Sequence, residues 1–204
     1  VEGHTQIDVA AGGDGGLAVG WFAQELTEGG DNGPAAVRLA VRDAGGHAFH
    51  AARTLETFAE RAPDGAGVHV AVGADGSGVA GWTGRQGDRF VARAADVRSR
   101  VGQTISDPSG DAVLGGVAVG PGGAAVAVWV PPLDTRSPQV FAAVRPAAGQ
   151  AFAGPETVSP PYREIASPTV GVDPRTGAAL AAWVARTGDR TQAIVVASRA
   201  DRAR

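Results

Sequence analysis

Residues 70–82, VAVGADGSGVAGW, have three relatives elsewhere in the chain. These are residues 9–21 (VAAGGDGGLAVGW), 117–129 (VAVGPGGAAVAVW) and 170–183 (VGVDPRTGAALAAW). Each opens on a valine and closes on one of the four tryptophans: Trp21, Trp82, Trp129 and Trp183. The spacing from valine to tryptophan is the same in the first three, and the fourth is one residue longer. The middle of each holds a turn signal: Asp14-Gly15, Asp75-Gly76, Pro121-Gly122, or Asp173-Pro174 followed by Gly177. A turn of this chemistry between two β-prone runs is a hairpin.

A second hairpin follows. Residues 36–50 (AVRLAVRDAGGHAFH) align with 140–153 (VFAAVRPAAGQAFA), which superposes Arg42 on Arg145 and Phe49 on Phe152. Short β-branched ends come next at Thr54-Leu55-Glu56 and Thr157-Val158-Ser159, and repeat two keeps Thr104-Ile105-Ser106. Repeat four has a third strand at residues 192–198. Each unit is therefore about four strands in roughly 50 residues, the span of a propeller blade. The fold expected is all-β, a single domain of four propeller-like blades with approximate repeats 1–58, 59–108, 109–161 and 162–204. The second strand of each unit is small-sided (Ala18, Gly20, Ala80, Gly81, Ala125, Ala127, Ala181, Ala182), which suits sheets stacked on both faces. The tryptophan then serves as a wedge between blades. Pairing of residues 1–5 onto the fourth blade would close a small ring. Without it, the array is part of a larger ring or a half-ring completed by a second copy, since bare sheet edges are normally covered.

The repeat V-A-V-x-x-x-G-x-A-x-x-x-W resembles that of bacterial exported β-propeller proteins, with sialidase-like propellers the nearest named comparison. It departs from the Asp box of those proteins: Asp75-Gly76 is followed by Gly78-Val79-Ala80-Gly81 before Trp82. The resemblance implies a propeller fold and a location outside the cell or in its envelope. A first residue of Val rather than Met fits a chain from which a targeting segment was removed.

Composition narrows the function. Net charge is −3, without a run of like charges, so the basic stripe that nucleic acid demands is missing. No apolar stretch reaches the length of a membrane helix, about 20 residues. Without cysteine there is no disulfide or thiolate metal site. All eighteen basic residues are Arg, which is the signature of a GC-rich genome. His47 and His50, taken as three apart on a strand, would point to opposite faces and share no metal. No calcium loop, P-loop or dinucleotide fingerprint occurs, so neither metal nor cofactor is expected.

Loops on one rigid face are where a propeller carries function. The loops between second and third strands, placed at 22–34, 83–89, 130–138 and 185–191, hold Arg85, Arg136 and Arg186, whose planar forks suit a carboxylate or sulfate. The blade-to-blade loop 159–165 holds the only tyrosine, Tyr162, beside Arg163 and Glu164. These six are the candidate ligand contacts, and no catalytic residue is assigned. The favoured function is a non-catalytic extracellular binding or scaffold module that contacts a glycan or a protein. The competing readings are a sialidase-like glycoside hydrolase, which needs paired carboxylates (or a Tyr with a Glu) in a cleft, and a fragment of a larger propeller. Asp8 and His69 share one repeat position; if it faces a central channel the two could form a charge-assisted pair, but isolated polar groups beside a water-filled channel are the favoured reading.

Overall fold

A computed structural model of the chain describes residues 6–26, 32–59, 67–99, 101–188 and 191–199, with the side chains of residues 25, 26 and 32 left aside. The expected pairing of residues 1–5 lies outside them. Fifteen strands form four antiparallel sheets in strict chain order. Blade 1 is β1 (Ile7–Ala11), β2 (Leu17–Leu26), β3 (Asn32–Arg42) and β4 (Arg53–Phe58). Blade 2 is β5 (Val68–Val72), β6 (Gly78–Gln86), β7 (Arg89–Asp96) and β8 (Gln103–Thr104). Blade 3 is β9 (Val113–Val119), β10 (Ala125–Val130), β11 (Phe141–Arg145) and β12 (Glu156–Thr157). Blade 4 is β13 (Ile165–Val172), β14 (Ala179–Arg186) and β15 (Gln192–Arg199). The all-β, four-blade reading of the sequence holds. Among the described residues no helix is long and apolar enough to cross a membrane.

The repeat valine and tryptophan mark the first hairpin of every blade. Their turns work because a glycine takes the left-handed conformation, at φ 85° for Gly15 and 75° for Gly76. Asp14 and Asp75 accept the backbone N–H two residues on, from Gly16 and Ser77 at 2.9 and 3.1 Å. Ser77 Oγ also donates to Asp75, and these bonds hold the Asp75 carboxyl below its usual range.

First strands line up in the order β1, β5, β9, β13, each touching the next. The cores lie between blades rather than within them. Phe22, Val37 and Phe58 of blade 1 pack on Val68 and Trp82 of blade 2. Ala92 and Ile105 of blade 2 pack on Leu114 and Trp129 of blade 3. Val128 and Val140 of blade 3 pack on Ile165 and Trp183 of blade 4. Trp82, Trp129 and Trp183 are 0%, 3% and 2% exposed, so the wedge role fits all three. Glycine makes the close approach possible: a Cβ on Gly20 would lie 2.5 Å from Val68 Cγ1, and one on Gly81 would lie 2.6 Å from Val117 Cγ1.

Three ion pairs across the junctions run in one direction. An arginine of the following blade reaches an acid of the preceding one: Arg98 to Asp43, Arg145 to Asp96 and Arg199 to Glu156, at 2.8, 3.4 and 2.7 Å. Arg145 is buried, and its Nε and Nη2 donate to the Gly123 carbonyl at 3.1 and 2.8 Å. Burial lowers its pKa, opposed by the Asp96 charge. Arg42, its repeat equivalent, donates to the Gly15 carbonyl at 3.2 Å. The His47 to His50 segment is a loop rather than a strand. There His50 Nε2 lies 2.7 Å from Asp43 Oδ2, and His50 and Arg98 together hold the Asp43 carboxyl below its usual range.

Candidate functional site

A concave site lies at the junction of blades 2 and 3, at the end where β10 finishes and β9 and β11 begin. Register fixes that end, because Trp129 faces Phe141 on one side and Leu114 on the other. The connections entering and leaving these strands, residues 105–112 and 131–140, therefore rise together over a pocket of about 520 Å³. This is the loop face expected to bind.

One wall is aromatic. Trp129 and Phe141 stack with centroids 6.3 Å apart and planes 18° from parallel. Trp129 is buried, while Phe141 is partly open to the pocket. The opposite wall is polar, with Ser106, Asp107, Ser109 and Asp111 from the blade-to-blade loop and Thr135 and Gln139 at the rim. Asp111 ties that loop down, accepting from Phe90 N at 2.8 Å and from Arg89 Nη1 at 3.2 Å. Asp107 accepts the Ser109 N–H at 2.8 Å, and bonds to Ser109 hold its carboxyl below the usual range. Beneath, the Ser106 hydroxyl accepts from Ala92 N at 3.0 Å, and the Thr83 hydroxyl accepts from Leu114 N at 3.0 Å.

Two of the positions that line the pocket differ from their equivalents at the junction before it. In register, Arg93 stands across from Trp82, and both reach Glu56 on the outer strand of blade 1: Trp82 Nε1 donates to Oε2, and Arg93 Nη1 lies 3.5 Å from it. At the next junction Phe141 takes the place of Arg93, and Ser106 that of Glu56. Two long charged side chains are replaced by a flat ring and a hydroxyl.

The sequence-derived candidates are spread over three blades. Arg85 lies on β6 rather than in a loop, since the hairpin continues to the pair Gln86–Arg89 around Gly87 (φ 58°). Its amide donates to Glu56 Oε1 at 3.0 Å, and its guanidinium sits 5.5 Å from the Phe90 ring centre. Arg186 likewise ends β14, where it pairs with Glu164 and donates from Nε to the Gly188 carbonyl at 3.3 Å. Two of the six candidates, Glu164 and Arg186, are thus brought together. Tyr162 packs partly buried against the core between blades 3 and 4, its N–H donating to the Pro138 carbonyl at 3.0 Å. Arg163 is exposed. Arg136 is exposed on the loop that supplies Thr135 to the pocket. The side chain of Glu25, residues 27–31 and residues 189–190 lie outside the described residues. Sequence reasoning missed Asp107, Asp111, Gln139 and Phe141; the signal for them was the loss of Arg and Glu at the Phe141 and Ser106 positions.

Near the axis, the Asp8 carboxylate accepts from the N–H groups of Val9 and Val70, both at 2.9 Å. Burial holds the His69 imidazole below its ordinary range, and the nearby Asp8 charge opposes that. The two residues are neighbours rather than isolated polar groups, and the carboxylate serves the backbone that joins the blades. Among the described residues no cluster of three or more His, Asp or Glu side chains is placed to hold a metal ion.

No protein-family model matches the chain, and no curated protein matches it in sequence. Solved structures do match its fold. TolB from Acinetobacter baumannii superposes with a TM-score of 0.54 at 14% identity, over 98% of this chain and 45% of that one. A Hadza microbial sialidase superposes with a TM-score of 0.55 at 16% identity, over 97% of this chain and 44% of that one. The chain is similar to propeller-type proteins and spans less than half the length of either. At these identities the likeness is one of fold.

Proposed function

We propose that the chain is a non-catalytic carbohydrate-binding module of an extracellular or envelope protein, and that its pocket between blades 2 and 3 takes a sugar ring. The observation that carries this reading is the pairing of an open aromatic face, Phe141 backed by Trp129, with a wall of hydroxyl, amide and carboxylate groups. A pyranose has the matching anatomy: one apolar C–H face and a rim of hydroxyls. Arg89 is already neutralised by Asp111 at 3.2 Å, which suits a neutral sugar better than a strongly anionic one.

A glycosidase of the usual two-carboxyl kind needs one carboxyl kept protonated as general acid, with its pKa raised. Bonds to Ser109 hold the Asp107 carboxyl below its usual range, which suits it to accept from a sugar hydroxyl rather than to serve as that acid.

The test is a glycan array, followed by titration of the best ligand against the chain and its Phe141→Ala and Asp107→Asn variants. Loss of one aromatic stacking contact weakens binding roughly tenfold, and both variants should weaken it with the fold intact by circular dichroism. A folded chain that binds nothing on the array, or binding indifferent to both changes, overturns the reading. Release of reducing sugar from a bound glycan would replace it with the hydrolase.

A further inference from the structure

The outer face of blade 1 carries the same half-junction that blades 2, 3 and 4 each press against the blade before them. Register places Ile7 opposite Trp21 and Val9 opposite Val19, as Val68 lies opposite Trp82 and Val70 opposite Ala80. Val68 and Val70 are 0% and 7% exposed, seated over Gly20 of blade 1. Ile7 and Val9 are 60% and 59% exposed. Trp21 follows the same division, being partly exposed where the other three tryptophans are buried.

The residue across from each tryptophan differs between blades, and so does the residue at the Glu56 position of the preceding blade. Arg93, across from Trp82, goes with the carboxylate Glu56. Phe141, across from Trp129, goes with Ser106. Val195, across from Trp183, goes with Ser159, at the same place on blade 3. Across from Trp21 stands Arg38, exposed. The blade 1 face therefore combines two branched apolar knobs with an indole N–H and a guanidinium, the set that elsewhere holds a glutamate.

We infer that this face is the seat of a further blade of the same repeat, one not among these four. That blade carries an Asp or Glu on its outermost strand, which receives Trp21 Nε1 and Arg38, and a glycine or alanine on its second strand to admit Ile7 and Val9. Blade 4 of a second copy is a poorer occupant. Its described sheet stops at the third strand, β15, so it offers no outermost strand for the carboxylate. Its outward face presents Leu180, Ile194 and Val196, at 50%, 78% and 53% exposed, and this is an open inter-blade surface of its own.

The experiment supplies the missing blade from the protein's own sequence. A copy of residues 6–66 is placed directly ahead of residue 6 of the full chain, so that the native linker length brings the added Glu56 to Trp21 and Arg38. The added copy carries Trp21→Phe, leaving the original Trp21 as the reporter. Acrylamide should quench one tryptophan in the parent chain and none in the extended one, and Glu56→Ala in the added copy should restore part of the quenching. A folded extended chain whose Trp21 is as accessible as before overturns the inference. A second measurement is independent of whether that protein folds. Sedimentation of the parent chain should give a monomer, and a dimer that hides Trp21 would show that a second copy is the occupant and overturn the inference.

Discussion

Trp82 and Trp21 occupy equivalent places in adjacent blades, on second strands built from the same small residues, yet one is sealed and the other partly open. The local sequence around them is nearly interchangeable, so it is the next blade that differs. Blade 1 covers Trp82 with Phe22, Val37 and Phe58 and gives its indole N–H a carboxylate, whereas among the described residues nothing comparable covers Trp21. In this architecture a side chain's environment belongs to a junction, and stability is a sum over neighbouring blades, as in other repeat proteins.

That contrast has measurable consequences. The largest is at the tryptophans. Trp82→Ala should cost about 3–5 kcal/mol, as expected for a buried aromatic truncated in a core, whereas Trp21→Ala should cost about 1 kcal/mol or less. Urea unfolding of both variants checks this, and equal losses would break the distinction between sealed and open junctions. A smaller gap separates the equivalent arginines. Arg145→Met leaves the Gly123 carbonyl and Asp96 without their buried partner and should cost about 2–4 kcal/mol. Arg42→Met removes a bond to Gly15 at the uncovered face and should cost about 0.5 kcal/mol. Thermal melts of the pair sharpen the comparison, because here the charge and the turn contact are shared and only the neighbour changes.

Much of the fold was legible because each repeat carries its own punctuation. Valine, a glycine turn and tryptophan bracket the first hairpin, and the aligned pair Arg42 and Arg145 proves to share a bond to a carbonyl of that turn. Strand ends were harder. The polar residues Thr83, Arg85 and Gln86 look like a loop, but their backbone continues the β6–β7 hairpin to Arg89, so Arg85 is presented from a strand. Lone polarity cannot separate a solvated strand end from a loop, because both expose the same side chains. The pocket was less legible still. Its walls come from Ser106 and Phe141, far apart in sequence and brought together only where the two blades meet. The arginines first singled out were chosen for their chemistry on a supposed common loop face. The structure gives Arg186 a partner in Glu164 and sets Arg85 over Phe90.

The cores of this protein lie between blades, and the face around Trp21 is open. Acrylamide quenching of the four tryptophans in the native chain tests this arrangement most directly. One tryptophan should be readily quenched, with red-shifted emission, and Trp21→Phe should abolish that component alone. Equal protection of all four, or a quenchable Trp82, Trp129 or Trp183, would contradict the account.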